Sequence, residues 1–127
     1  MDYIFLIARV LFGGYFAMSG WNHLRHADAM AGYAASKKVT SPKAMIILSG
    51  LMVLIGGLGI VTGLYVGVSV ILIVLFLIPV TFIMHNYWTQ TDPNQKMADR
   101  VQFMKNIALI GAVLVFLFVP MPWPLVL

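Results

Sequence analysis

The chain has 127 residues, 61% hydrophobic and 9% charged, with a formal net charge of +4. Soluble domains carry about 25% charged residues, so a chain this apolar has lipid as its solvent and the bilayer as its first partner. It has no cysteine, which excludes disulfide exchange, thiolate metal sites and cysteine-ligated clusters carried by this chain alone; its basic excess bears on membrane orientation rather than on nucleic acid, and no nucleic-acid partner is expected.

The first apolar segment covers residues 3–23. At about 1.5 Å per residue its roughly 20 residues match a hydrocarbon core of about 30 Å. It opens MDYIFLIARV, with Asp2 where a signal peptide would carry basic residues. It therefore reads as an uncleaved span, although Ala17-Met18-Ser19 imitates a cleavage site. Its interior charge is Arg9. On a helical wheel Arg9, Gly13, Phe16, Gly20 and His23 share one face, so a single stripe runs from a cation to an imidazole about 21 Å away. An ionisable group inside a span faces the bundle interior by default. That reading is favoured over snorkelling to the headgroups.

After the first span, DAMAGYAAS reads as a short helix along the interface, with Asp28 as its cap. Ser41-Pro42 reads as N-cap and first residue of the second span. Residues 44–91 hold no formal charge. That is twice the length of one span, so two helices are expected, 43–63 and 65–87, turning at Gly63-Leu64-Tyr65. Pro79 predicts a kink in the third span, with Thr81 available to re-satisfy freed backbone groups. The fourth span covers 101–119 and stops at Pro120. Trp123, in the tail beyond it, suits an interfacial anchor. Gly50, Gly56, Gly59, Gly63 and Gly67 recur at helical spacing. They are read as packing within the bundle, with a homo-oligomer contact as the alternative. The expected fold is all-α: an integral membrane four-helix bundle, with residues 1–127 as a single domain.

Four spans place the first and third connections on one side. The first carries Arg25, Lys37, Lys38 and Lys43, the third Lys96, Arg100 and Lys105, and the other side has no Lys or Arg outside the membrane. The positive-inside rule then puts both connections in the cytoplasm and both termini outside. The same topology gathers His23, His85, Trp88, Lys105 and Asn106 at one face, as the expected ligand-binding cluster. Trp88 follows His85 by three residues and shares its side if the helix continues. Taken singly, each residue has a structural alternative as a helix-end tie, such as Lys105 on a helix C-terminal carbonyl or Asn106 on His85. Together they exceed what capping requires. Asp92-Pro93-Asn94 reads as a turn, and residues 89–97 as plain connection. The methionines, among them Met84 and Met97, give no helical ligand pair and are read as packing, so no metal site is expected. A haem between His23 and His85 has no supporting spacing.

The runs ARVLFGGYFAMSGWNHL, LSGLMVLIGGLGIVTG and MHNYWTQTDP…FMKNIALIGA resemble the DoxX family of small bacterial four-helix membrane proteins, over about residues 5–116. The most specific matches are Arg9, Gly20, His23, His85, Trp88, Phe103, Lys105, Asn106, Ala108 and Gly111. Tyr87 stands where the family often has phenylalanine, and a lysine often found near Asn22 is missing. The resemblance implies a four-helix bundle, multi-pass in the bacterial cytoplasmic (inner) membrane. It also implies a link, through terminal-oxidase and thiosulfate:quinone oxidoreductase systems, to quinone as ligand and to a redox partner as electron source. Distant relatives act as cargo receptors or assembly chaperones.

Two readings stand open. In the first, the chain is a quinone-linked oxidoreductase subunit, whose His, Lys, Asn and Trp groups donate to the quinone oxygens and whose histidines relay protons. In the second, it is a non-catalytic membrane adaptor, chaperone or lipid-binding protein. There Lys37, Lys38, Lys43, Lys96 and Arg100 meet anionic lipid, each contributing about 1 kcal/mol near the surface. A transporter finds little room in four short helices.

Overall fold

The computed structural model describes residues 1–127. In chain order the elements are α1 (Asp2–Arg25), α2 (Ala27–Ser36), α3 (Pro42–Thr62), α4 (Val66–Pro79) and α5 (Pro93–Val115). A π-helical turn, Val80–Met84, prolongs α4, and single 3-10 turns lie at Tyr87–Thr89 and Phe116–Phe118. Four helices, Asp2–Arg25, Pro42–Thr62, Val66–Thr89 and Pro93–Phe118, are long and apolar enough to cross a membrane. The protein is an all-α membrane bundle. The fourth span starts at Pro93 rather than at residue 101. Asp92 caps it by accepting from the Gln95 backbone N–H at 3.2 Å, so half of the expected loop is the first turns of α5.

Small residues set the packing. The buried residues of α1 are Arg9, Gly13, Phe16, Gly20 and His23, the stripe read from the wheel. A Cβ built on Gly13 would lie 2.5 Å from the Gly57 carbonyl oxygen, and one on Gly20 2.5 Å from that of Gly50. The α1 and α3 backbones are therefore in direct contact at two levels. Gly50 also leaves the space that the His23 side chain fills, since a Cβ there would lie 2.6 Å from the His23 Cβ. α3 approaches α4 in the same way near their turn, where Gly56 faces Ser69 and Ile73 and Gly59 faces Ser69. The turn itself is Gly63, at φ +81°, a left-handed conformation that costs glycine little. Gly67 meets nothing and takes no part in this packing. Outside, Ile7, Leu11, Leu51, Ile55 and Ile71 are exposed, as lipid-facing positions must be.

Three local expectations change. Asp28 does not cap α2, whose N-cap position is His26; it pairs instead with Lys43 at 2.9 Å. The Thr81 hydroxyl is buried without a partner. The disturbance behind Pro79 is absorbed by the π turn, a local widening that lets the helix continue past a proline. Trp123 is not an interfacial anchor: it is 2% exposed and packs edge-on against Phe5, ring centroids 5.0 Å apart. Interface statistics favour a surface tryptophan, but here a buried cation draws the tail inward.

That cation is Arg9, wholly buried. It donates through Nη1 to the Pro124 carbonyl at 2.8 Å and through Nη2 to the Leu125 carbonyl at 2.5 Å. Its guanidinium lies 5.6 Å from both the Phe5 and Trp123 rings. No carboxylate reaches it. Neutral carbonyl dipoles and aromatic faces replace its hydration shell in part, with Nε left buried and unpartnered, and the tail closes this end of the bundle, with the Leu127 N–H donating to the Thr62 carbonyl at 3.0 Å.

Two outcomes follow for purified protein in detergent. Gly20→Ala should lower stability by about 1–3 kcal/mol, the scale on which overpacking acts, whereas Gly14→Ala, whose Cβ meets nothing within 4 Å, should be neutral or slightly stabilising; thermal unfolding reads both. Arg9→Gln should free the tail, seen as a red shift of Trp123 emission (with Trp21 and Trp88 replaced by Phe) and as new protease cleavage after Val119.

Candidate functional site

The site lies at the end of the bundle opposite Arg9. Each of its side chains is delivered by a different element. α1 brings His23, buried in its last turn, with Nδ1–H donating to the Ser19 carbonyl at 2.7 Å. A carbonyl only accepts, so this bond places a proton on Nδ1, and in the neutral ring Nε2 is then the acceptor. The ring stands edge-on to Phe76 of α4, centroids 5.5 Å apart.

α4 and its π turn end at His85, where φ −118° and ψ 40° break the helix. His85 Nδ1 lies 3.4 Å from Asp99 Oδ1. The other carboxylate oxygen of Asp99 lies 3.4 Å from Lys37 Nζ, which also donates to Asn86 Oδ1 at 2.8 Å. Asp99 is 3% exposed, and Lys37 is half-buried. One carboxylate thus ties three elements together: the end of α2, the end of the α4 span and the start of α5. It also orients the His85 ring, whose Nε2 makes no hydrogen bond within the protein.

α5 turns one stripe inward. Its buried residues are Asp99, Asn106 and Val113, spaced by seven, two helical turns. Asn106 is 5% exposed and lines the cavity, with no side-chain hydrogen bond inside the protein tying its amide elsewhere. Next to it Lys105 reaches across to α1. Its Nζ donates to the Tyr15 hydroxyl at 3.2 Å and lies 5.7 Å from that ring. α5 packs mainly on α4 and the segments after it and approaches α1 little, so this bridge spans a real gap.

The gap is a cavity of about 440 Å³. Phe16, Ile46, Phe76, Leu77 and Leu109 form its apolar part. His23, His85, Gln102, Lys105 and Asn106 form its polar wall, with Tyr15 and Tyr33 alongside. Four of the five residues expected to cluster therefore line one space.

Trp88 does not. It is 51% exposed and stands edge-on to Tyr87 and to Phe103, centroids 5.3 and 5.7 Å away. The cause is the helix break at His85, which removes the shared face that a three-residue spacing would have given. Two residues of the site carried no expectation of this role. Asp99 carries no reading from the sequence, and Lys37 is read there as a surface charge for lipid. The available signal was the seven-residue spacing from Asp99 to Asn106 and Val113. The alternative tie of Asn106 to His85 is not formed; His85 contacts Asp99 instead. No three metal-ligating side chains converge anywhere. The donor set suits an oxygen-bearing ligand with an apolar body.

The family model described as DoxX matches residues 4–86, from the start of α1 through His85. It includes Arg9, His23 and Lys37, while Asp99, Lys105 and Asn106 lie beyond the matched range. No curated protein and no solved structure matches the chain.

Asp99→Ala would leave the half-buried Lys37 ammonium with Asn86 but without a counter-charge. The expected loss is about 1–3 kcal/mol, the scale of a lost hydrogen bond to a charged group. Adding Lys37→Met should restore part of it, since no unpaired ammonium then remains. Thermal unfolding of the single and double variants checks both statements.

Proposed function

We infer the function from the premise that this chain belongs to the DoxX family: the cavity holds a quinone headgroup, and the protein serves as the quinone-binding subunit of a membrane oxidoreductase, with electrons supplied by a redox partner. The observation that carries this reading is the convergence of His23, His85, Lys105 and Asn106 on one cavity whose other walls are apolar. A quinone has two carbonyl oxygens on a flat apolar ring. It needs a few converging donors and an apolar floor, the common pattern of small-molecule sites. When bound, it supplies two-electron carrier chemistry that consumes or releases protons at its oxygens.

The chain's own residues then have separable roles. Lys105 and the Asn106 amide donate to an oxygen. His85, held through Nδ1 by Asp99, presents Nε2 to take up or give a proton, and Asp99 stabilises the imidazolium when it forms. His23, with a proton on Nδ1, offers an acceptor at the opposite wall when its ring is neutral. The apolar side chains form the floor on which the ring would lie. In the orientation set by the basic connections, this end faces the cytoplasm.

A second reading keeps the cavity and drops the redox role: a membrane adaptor that holds a lipid headgroup. It is supported by exposed Lys38, Lys43, Lys96 and Arg100 around the same end, each favourable by about 1 kcal/mol near anionic lipid.

In lipid nanodiscs, His85→Ala and Lys105→Ala should each weaken binding of a short-chain benzoquinone roughly tenfold, the equivalent of one lost charge-assisted hydrogen bond. Unchanged affinity in both variants would rule out this site assignment. An absorbance spectrum of the lipid extract from freshly purified protein separates the two readings, because quinone should be present under the first and only phospholipid under the second.

A further inference from the structure

A second cavity, about 210 Å³, lies between α3 and the α4 span. Ile46, Ser49, Phe76, Val80 and Met84 line both cavities. Beyond that shared wall the smaller one is almost wholly apolar, and its rim is exposed: Leu48 by 52% and Ile83 by 44%, with Met45 and Leu75 beside them. Among exposed apolar residues on these spans, this rim leads to lipid.

The gap has a cause in the sequence. Near their turn α3 and α4 are drawn together by Gly56 and Gly59 against Ser69 and Ile73. Toward the other end α3 has no glycine facing α4, because Gly50 faces His23 and Gly20 of α1. There α4 also meets Pro79 and the π turn, where the helix widens. The two helices are thus tight at one end and parted at the other. The side chain best able to open or close the wall between the cavities is Met84, half-buried, unbranched and adaptable.

We propose that the ligand is a single-chain amphiphile of the bilayer, whose oxygen-bearing head occupies the larger cavity and whose apolar chain leaves between α3 and α4 through the smaller one. The proposal rests on the headgroup site described above, and adds the class of molecule and the direction of its tail. The bilayer is as apolar as the groove, so the groove supplies little hydrophobic affinity. It supplies an exit: the chain stays in lipid while the head sits among Lys105, Asn106 and His85. A head with two chains would have to part α3 and α4 further, against the glycine contacts at their turn. Two sources have this chemistry, a prenyl quinone and a free fatty acid.

The test uses the full-length protein in phosphatidylcholine nanodiscs, with ligand concentrations expressed per lipid. Four probes are compared: a chainless benzoquinone, its decyl derivative, acetate and oleate. Leu48→Trp and Ile83→Trp each fill the groove from an exposed rim position that does not line the headgroup cavity, so folding is spared. Each variant should weaken the long-chain probe about tenfold, the scale of overfilling an apolar site, and leave the chainless head unaffected. Sensitivity of decylquinone identifies a quinone, and sensitivity of oleate alone identifies a fatty acid. The latter keeps this proposal while overturning the quinone reading. If both variants bind both long-chain probes as the parent protein does, the chain does not pass between α3 and α4 and the proposal is wrong. The same holds if neither long-chain probe binds.

Discussion

The direct backbone contact of α1 with α3 is the constraint on which the rest of the bundle depends. In lipid no hydrophobic force pushes helices together, and close fit must do so. Gly13 against Gly57 and Gly20 against Gly50 provide that fit. Because they lie on one face of α1, the residues between and beyond them are carried inward as well. Arg9 and His23 are buried not by their own chemistry but because they share a face with two glycines. The bundle then has to accommodate a cation at one end and an imidazole at the other, and each end does so in its own way.

At the Arg9 end the solution is dry and neutral. Carbonyls from the tail and two aromatic rings surround the guanidinium, and the α3–α4 turn closes over it. At the His23 end the helices part. Here the ionisable groups are of both signs and held by one carboxylate, Asp99, between Lys37 and His85. A buried ion pair is a poor source of stability compared with an apolar pair. Its value here is positional: it fixes the ring of His85 at the edge of a cavity that α5, standing off from α1, leaves open.

Much of this was legible before any coordinates. Segment length and charge gave four spans, and the wheel of α1 gave the five residues that are buried. Helical periodicity is a local property, and these features are local. The partnership of Asp99 and Lys37 was not legible, because it joins residues 62 positions apart; the spacing of Asp99 to Asn106 and Val113 marks its face and not its partner. Trp88 was misplaced for a related reason. A three-residue spacing has meaning only while the helix lasts, and the helix ends at His85. Trp123 followed a statistical preference for the interface that a specific contact with Phe5 overrides. In each case the deciding term was tertiary.

The pairing of Arg9 with Pro124 and Leu125 also sets an order of events at synthesis. The acceptors lie 115 and 116 positions downstream of the donor. At the usual pace of translation the first helix is made roughly ten seconds before them. Through that interval an arginine sits in a finished span without its final ligands, at a cost of about 2.5–3.5 kcal/mol at a bilayer centre and less where its stem lets it reach the headgroups. The first helix of this protein therefore gains the last ligands of its buried charge only when residues 124 and 125 have been made.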